Sequence, residues 1–521
     1  MTRPSIFALL ALMASLPATD PAGTPSDTFT IREYRIKGSR TLPPLAVEEA
    51  VYPFLGRART VADIDLARAA LEKAYHDAGF SAVTVEVPAQ DGNAGIIFLQ
   101  VSENPVGRLR VRGSRFHSPS AITAAAPELA EGTVLNFADV NRAVLRLNRQ
   151  RDLRITPDLK QGTTPGTIDI DLKAEDSLPL HGSIELNNRY NEGTTPLRLN
   201  GSLSYDNLWQ AAHSVGFSFQ VAPERPDDAT VFSAWYLARF REIDWLTLLL
   251  QGTKQDSDVS TLGGLAVAGR GNVLGLRLIA TLPGNEKLYH SISTGPDWKN
   301  FREDIVLDGT ATSTPLRYIP LSVSYSAALK NGPHQSDIQT TLTFGLRGTG
   351  SNPAAFDSKR YLANGSFVHL RADVSHTHQL PGRAELHARV QGQLSNDPLI
   401  NNEQFSAGGL STVRGYLESA ALGDSAIAAT LELRSPSLLT KSASSGSDWR
   451  FHTFIDAARV SLNDPLPEQQ DVFNLLSIGA GTRLSLRNHL EASLDAGLPL
   501  RAIGNTDRGD WFLSVRLQSD F

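Results

Sequence analysis

A stretch of twelve residues, Phe405–Tyr416, combines residue types that act together in a shaped loop: F-S-A-G-G-L-S-T-V-R-G-Y. Its glycines disfavour helix and strand, because glycine frees the backbone for positive φ. Arg414 stands in apolar company, and a cation withdrawn from water needs a carboxylate or an aromatic face nearby. The nearest attractive carboxylate downstream is Asp456, in F-I-D-A-A-R-V. These residues alone leave a plain surface turn as the alternative. The residues of the loop motif are Gly408, Gly409, Val413, Arg414, Gly415 and Tyr416.

Enzyme chemistry finds no support in the residue patterns. The chain has no cysteine, and it lacks a G-x-S-x-G elbow, an H-E-x-x-H pair and a phosphate-binding loop. The 12 histidines and the carboxylates are scattered along the chain in no arrangement typical of a catalytic site. The sequence therefore predicts no enzyme, no metal site and no cofactor. A hydrolase that uses residues of the barrel rim is a remote alternative.

Composition narrows the class of protein. No apolar run approaches the roughly 18 to 20 residues of a membrane-spanning helix, and a net charge of −6 offers no field for nucleic acid. With 41 glycines and 2 methionines, the 521-residue chain suits a turn-rich β protein. Residues 1–18 have one arginine, an apolar core and small residues before Ala18, which predicts a secretory signal peptide. A buried N-terminal helix is the alternative.

The first part of the chain predicts two tandem β-α-α-β-β units. A strand ending in Y-R-I-K-G-S-R precedes a helix near residues 44–54, a helix over 61–78 and strands at 80–87 and 96–101. The pattern then restarts, since L-R-V-R-G-S-R begins at residue 109, 75 residues after its counterpart at residue 34. The predicted units are 28–104 and 105–176.

From residue 181 onward, apolar and polar residues alternate in segments of about ten. In the segment from Leu490 to Leu498, every second residue is leucine or alanine and those between them are mostly polar. Such alternation is typical of a transmembrane barrel with lipid outside and water inside, although a soluble sandwich shares it. Roughly 340 residues at roughly 21 per strand and turn give about 16 strands. The fold class predicted is thus α+β, followed by an all-β antiparallel barrel at 181–521.

Several of these sequence features resemble those of a superfamily in which POTRA domains precede an outer-membrane barrel. They are most similar to the hemolysin secretion/activation family of two-partner secretion transporters. V-R-G-Y is similar to the tip of that superfamily's sixth outer loop, and T-P-G-T-I-D-I-D-L is similar to the family's second POTRA unit. The resemblance implies a lumenal loop around 403–421, locked by an ion pair between Arg414 and Asp456. Asn104 departs from the family, which usually has glycine there.

The resemblance also implies a function and its partners. An unfolded exoprotein would be captured in the periplasm and exported through the barrel across the bacterial outer membrane, among lipid and lipopolysaccharide, with no nucleic acid involved. The candidate client-binding edge is Ala82, Val83, Thr84, Val85, Glu86 and Val87, and the alternative is that a neighbouring element covers this edge. An assembly factor of the same superfamily is the main alternative, and a passive porin, which lacks POTRA repeats, is a second.

Two further expectations follow from the same resemblance. The last strand ends on an aromatic residue, like the signal that the barrel-assembly machinery reads; its outward residues are Trp511, Leu513, Val515, Leu517 and Phe521. Some family members carry a plug helix before the first POTRA unit. The ten or so residues between Ala18 and Phe29 are too short and too rich in Pro and Gly for one. The loop is therefore expected to be the main obstruction, and deletion of residues 403–421 should raise single-channel conductance.

Overall fold

The computed structural model describes residues 28–91, 94–240, 243–257, 259–260, 267–268, 270–302, 304–307, 310–313, 315–439 and 446–521. The predicted signal peptide, residues 1–18, lies outside these ranges. The chain forms two compact units: the first ends at Asp176, and the second comprises Gln150–Asp152 and Ser177–Phe521. Among the described residues, no helix is both long and apolar enough to cross a membrane.

The first half of the N-terminal unit packs two helices on a three-stranded sheet. Its order is β2-β5-β4, with β2 parallel and β4 antiparallel to the central β5. Leu71 and Tyr75 from α2 meet Ile97 and Leu99 from β5 in a fully buried core. The elements are β1 Phe29–Ile31, β2 Glu33–Lys37, α1 Pro44–Val51, β3 Gly56–Arg59, α2 Val61–Asp77, β4 Thr84–Glu86 and β5 Ile96–Ser102.

Helix α2 starts and stops at residues that the sequence indicates. The backbone N and the Oγ1 of Thr60 donate to the Asp63 carboxylate at 2.8 and 2.9 Å, so the first turn is capped. Gly79, at φ +94°, ends the helix in the left-handed conformation. Helix α1 is shorter than predicted: it ends at Val51, and Tyr52–Phe54 form a 3₁₀ turn.

The second half of the unit repeats this arrangement. Its sheet has the order β6-β8-β7, again with one parallel and one antiparallel neighbour of the central strand. Asn136 caps α4 by accepting from the Ala138 N–H at 3.0 Å, as the sequence indicates. The elements are β6 Val106–Arg112, α3 Pro119–Ala124, α4 Phe137–Leu147, β7 Leu153–Gln161 and β8 Ile168–Asp176.

Both halves use one carboxylate to satisfy the turn after the G-S motif. Glu103 accepts from the N–H groups of residues 40 and 41 at 2.6 and 2.8 Å. Asp176 accepts from those of residues 115–117 at 2.7 to 2.9 Å. Burial raises the pKa of Glu103, but these N–H donors outweigh it and hold that pKa below its usual value.

The second unit is a closed antiparallel barrel of 16 strands, so the predicted fold class is confirmed. Alternation places Phe451 and Ile455 on the outer wall and Asp456 on the inner wall, where it is 1% exposed. The strands, numbered 1 to 16, are Leu180–Asn187, Arg198–Leu208, His213–Val221, Ala229–Arg239, Leu246–Ser257, Arg270–Thr281, Leu288–Arg302, Leu316–Tyr318 continued by Pro320–Asn331, His334–Gly345, Val368–Gln379, Glu385–Ser395, Ser425–Arg434, Asp448–Ser461, Val472–Leu486, Leu490–Pro499 and Phe512–Asp520.

Smaller elements lie in the connections between barrel strands. Within the described parts of the loops there are three short hairpins and one helix, and 3₁₀ turns mark several connections. They are Val259–Ser260 with Val267–Ala268, Asp304–Leu307 with Thr310–Ser313, Phe405–Ala407 with Ala421–Gly423, helix Pro353–Lys359, and the turns Pro226–Asp228, Pro381–Arg383 and Asn401–Glu403.

Candidate functional site

The loop that joins barrel strands 11 and 12 carries the glycine and arginine motif. Its stem is the hairpin of Phe405–Ala407 with Ala421–Gly423. Beyond this stem the tip lies against the inner wall of the barrel. Val413 and Tyr416 are fully buried, and Arg414 is 5% exposed. The tip therefore occupies the lumen instead of solvent.

Arg414 and Asp456, which the sequence analysis paired, are in direct contact. The guanidinium Nε and Nη2 donate to the two carboxylate oxygens of Asp456 at 2.8 and 3.0 Å, and the Arg414 backbone N–H donates at 3.1 Å. The face of the guanidinium lies 3.5 Å from the centre of the Phe454 ring. A bidentate pair stacked on an aromatic ring fixes the side chain in one orientation.

Two carboxylates that the sequence analysis missed also bind Arg414. Its Nη1 donates to Glu432 on strand 12 at 2.6 Å and lies 3.4 Å from Asp495 on strand 15. Other side chains share these carboxylates: Arg434 and Arg483 pair with Glu432, and the His452 ring lies 2.7 Å from Asp495. Alternation would have placed all of them in the lumen, but it carries no information about which strands face one another.

Backbone conformation and close packing explain why the motif has glycine at three positions. Gly408, Gly409 and Gly415 have φ of +110°, +83° and +92°, a region that other residues rarely adopt. A Cβ on Gly415 would stand 3.1 Å from the backbone of Gly497. The next residue, Tyr416, donates from its hydroxyl to the Leu476 and Arg501 carbonyls at 3.0 and 2.8 Å.

Two buried carboxylates hold the base of the loop. Glu403 receives Lys299 at 2.5 Å and the Tyr318 hydroxyl at 2.6 Å. Asp424, which is fully buried, accepts from the Asn463 N–H at 2.7 Å and from Arg360 at 3.2 Å. Sequence reasoning did not find this second anchor, because its partners come from distant loops and strands that no local pattern connects.

A third contact ties the loop to the segment that follows the first barrel strand. Glu418 accepts from Arg189 Nε at 2.8 Å and from the Leu410 N–H at 3.2 Å, and its own N–H donates to the Tyr190 carbonyl at 3.1 Å. Beside the tip lies a cavity of about 520 Å³, lined by equal numbers of cationic and acidic side chains. Part of the lumen is thus open and water-compatible next to the docked loop.

The barrel closes where strand 1 meets strand 16. Ser183–Asn187 pair with Arg516–Asp520, which is a shorter ladder than the others in the barrel. Gly182 and Phe521 exchange two backbone hydrogen bonds of 3.0 Å, and the Asn188 side chain bonds the backbone at Leu513 and Val515. The seam is short but bonded along its length.

The structure puts the proposed assembly-signal residues on one face of the last strand or just beside it. Trp511 and Phe521 flank the strand and are 66% and 64% exposed. Between them Leu513, Val515 and Leu517 point to the same outer face.

The proposed client edge is shorter than predicted. Only Thr84–Glu86 form a strand, because Phe80–Val83 turn, with the Val83 N–H donating to the Phe80 carbonyl at 3.1 Å. This strand, β4, is at the edge of its sheet. The Ala82, Val83 and Val85 carbonyls accept from side chains: Asn104 at 3.0 Å, His76 at 3.3 Å and Arg68 at 3.5 Å. Asn104 has φ +43°, which explains how it replaces the usual glycine.

Comparison with known families and proteins gives consistent matches. Residues 166–484 match the family described as haemolysin secretion/activation protein ShlB/FhaC/HecB, and residues 29–104 match the ShlB-type POTRA domain. The outer membrane transporter CdiB of Dickeya dadantii strain 3937 is 23% identical over 415 residues, which cover 76% of this chain and 70% of that protein. The CdiB of Escherichia coli O6:K15:H31 is 24% identical over 423 residues, covering 76% and 67%.

Solved structures share the fold. CdiB from Escherichia coli superposes with a TM-score of 0.65 at 20% identity, covering 97% of this chain and 93% of that one. BamA from Haemophilus ducreyi lacking POTRA domains 1–3 superposes with a TM-score of 0.58 at 15% identity, covering 95% and 100%. The family resemblance inferred from the sequence is confirmed by the family model that matches residues 166–484.

Proposed function

Because the chain belongs to the haemolysin secretion/activation protein family and is an outer-membrane transporter of two-partner secretion, we propose that its lumenal loop is the gate for export and Arg414 is the lock of that gate. In this proposal the periplasmic N-terminal unit captures an unfolded exoprotein. The loop around 403–421 then leaves the lumen, and the exoprotein crosses the barrel. Client folding outside the cell drives the movement, since the sequence carries no nucleotide-binding motif.

The observation that carries the gate is the contact set of Arg414. Its ligands lie on strands 12, 13 and 15, so one side chain joins the loop tip to three parts of the wall. Each ligand is buried, and separating a buried pair leaves uncompensated charge. Export therefore requires water or the client to enter the lumen beside the pair, and the cavity next to Arg414 supports that route.

Capture of the client is proposed at the edge of β4. An extended polypeptide adds to an open sheet edge by backbone hydrogen bonds, which tolerate many sequences. The Val83 and Val85 carbonyls, now bound by His76 and Arg68, are the acceptors that a client strand would take over. Those side chains keep the edge satisfied while no client is bound.

A disulfide between the tip and the wall tests the gate directly. The Thr430 hydroxyl lies 3.5 Å from the Thr412 carbonyl, and the chain has no native cysteine to interfere. The variant Thr412→Cys/Thr430→Cys, once oxidised, should block export of the exoprotein client, and a reductant should restore it. The control is Ser406→Cys/Ser419→Cys, which joins two residues of the loop to each other and not to the wall. Undiminished export by the fully oxidised tip-to-wall variant would refute the gate.

The chemistry of the barrel's outer surface is the basis for proposing further partners. The apolar outer wall, with residues such as Phe451 and Ile455, fits outer-membrane lipid and lipopolysaccharide. The exposed face of the last strand fits the proposed signal for the barrel-assembly machinery, which would act once, during insertion.

One observation favours a second function, the insertion of other barrel proteins through an opened seam. The ladder between strands 1 and 16 is short. A cross-link at the registered pair Ile184 and Ser519 would distinguish the two functions. Export through the lumen should continue when Ile184→Cys/Ser519→Cys is oxidised, whereas insertion through the seam should stop.

A further inference from the structure

Three histidines form a cluster on the outer wall of the barrel. His334 opens strand 9, and His376 and His378 lie near the end of strand 10. In the ladder His334 is directly opposite His378, and Ser336 is opposite His376. Alternate residues of a strand share a face, so the H-T-H segment projects both imidazoles to one side. Ile338 and Val374, which have the same parity, are exposed on the outer wall.

The cluster sits at the periplasmic rim. The chain enters the barrel at Leu180, so every odd-numbered strand of this antiparallel barrel starts at the periplasmic end. Strand 9 starts at His334, after the two-residue turn Gly332–Pro333. His334 and His376 are exposed and His378 is half-buried, so periplasmic water and ions reach all three rings.

The nitrogen atoms of the rings are close together. The Nδ1 atoms of His334 and His378 are 3.0 Å apart, and one ligand nitrogen from each histidine falls within 4.8 Å of the others. Two imidazoles on one tetrahedral Zn²⁺, with bonds of about 2.0–2.1 Å, have nitrogens roughly 3.3 Å apart. The 3.0 Å separation of His334 and His378 is thus close to that of two imidazoles bound to one ion.

A hydrogen bond orients the third ring. The Ser336 hydroxyl lies 2.8 Å from His376 Nδ1, which leaves Nε2 of that ring for a ligand bond. Such outer contacts commonly fix the tautomer and direction of metal-binding histidines. All three donors are imidazole nitrogens, which favour Zn²⁺, Cu²⁺ or Ni²⁺ over Ca²⁺ and Mg²⁺.

We propose that His334, His376 and His378 bind one divalent transition-metal ion, with Zn²⁺ as the natural occupant, at the periplasmic rim of the barrel. Three histidines leave a fourth position for water. The ion clamps strands 9 and 10 together at the end that faces the periplasm, so it binds the folded barrel and not the unfolded chain. Binding of this kind raises resistance to unfolding as the free metal concentration rises.

Zinc titration of the full-length, untagged protein in detergent micelles tests the site. A fluorescent zinc chelator as competitor should report one Zn²⁺ per chain with no competition from Mg²⁺. His334→Gln, His376→Gln and His378→Gln should each weaken binding at least tenfold. Zn²⁺ should also raise the temperature at which the wild-type barrel unfolds, and not that of the triple variant.

A matched control is His181→Gln, which alters another close group of potential ligands, Asp152, His181 and Asp206. It should bind Zn²⁺ at the rim as the wild type does. Co²⁺ should give the visible absorption of a four-coordinate site in the wild type and in this control. The proposal is overturned if the folded triple variant binds Zn²⁺ as tightly as the wild type, or if His181→Gln alone removes the binding.

Discussion

Gly415 at the loop tip and Gly497 on barrel strand 15 meet backbone to backbone. A Cβ on Gly497 would stand 2.6 Å from the Gly415 Cα, and a Cβ on Gly415 would stand 3.1 Å from the Gly497 carbonyl carbon. The contact at Gly497 leaves no room for a methyl group, and the one at Gly415 would accept a methyl group only after a small shift of the backbone. The docked position of the loop therefore depends on the absence of a side chain at two residues that are far apart in the sequence.

Replacing Gly497 with alanine should undock the loop while the barrel stays closed. The new methyl group points at the loop backbone, which must move away, and Arg414 then loses its aligned carboxylates. We expect single-channel conductance in planar bilayers to rise several-fold. Gly252→Ala is the control, since a Cβ there meets only a leucine methyl group at 3.2 Å. Wild-type conductance from Gly497→Ala would contradict this packing argument.

Arg414→Ala should perturb the lumen more than Asp456→Ala. The first change leaves Asp456, Glu432 and Asp495 facing one another, whereas the second leaves Arg414 with two carboxylates. Loss of one partner of a buried pair costs about 3–5 kcal/mol, and less where lumen water reaches the charge. The measurements are conductance and heat-induced unfolding.

A double-mutant cycle gives the coupling between the two residues. Additive single changes would show that Arg414 and Asp456 act independently; we expect a coupling of roughly 0.5–3 kcal/mol. Exchanging the two charges is a poorer test. It would set a carboxylate at position 414 beside Glu432 and Asp495.

Removing the Arg68 side chain, which donates to the Val85 carbonyl at the client edge, should strengthen client binding. Arg68→Ala frees the Val85 carbonyl for the client. The client then no longer competes with a hydrogen bond worth about 1 kcal/mol, so it should bind roughly fivefold more tightly. The anisotropy of a labelled segment of the exoprotein client, bound to the full-length transporter, reports this change. Lys73→Ala is the matched control for Arg68→Ala, because Lys73, like Arg68, forms an i,i+4 ion pair on α2. Weaker binding by Arg68→Ala would mean that the client does not use this carbonyl.

Deleting the side chain of Phe521 should reduce the amount of assembled barrel. Phe521 closes the seam through Gly182, and its ring lies over that glycine, so the residue contributes to closure as well as to the proposed assembly signal. We expect Phe521→Ala to lower the heat-modifiable fraction in outer membranes. Phe451→Ala, on the outer wall of strand 13, should leave that fraction near the wild-type level.

Local pattern predicted most of the fold and part of the site. Alternation and strand length are set by the bilayer, so they are legible in the sequence, and the R-G-Y motif directed attention to Arg414 and Asp456. The sequence analysis missed the contacts of Glu432, Asp495 and Phe454 with Arg414. The side of the wall that a residue faces can be read from its own strand, but the residues of other strands that lie at the same level of the barrel cannot. Lys299 and Glu403 are 104 residues apart, and no spacing rule connects them. The strand expected at 80–87 shortened to three residues because Phe80–Val83 turn back onto α2.

Glu103 and Asp176 each complete the turn of their own repeat, at the last strand of that repeat. Neither turn borrows its acceptor from the other half, so each half carries its own means of closure. A gene that gained or lost one whole copy of the repeat would leave no amide stranded at either of these turns. These two turns thus set no limit on the number of repeats, and the halves are joined elsewhere, where the Phe137 N–H of the second half donates to the Gly79 carbonyl of the first at 3.0 Å.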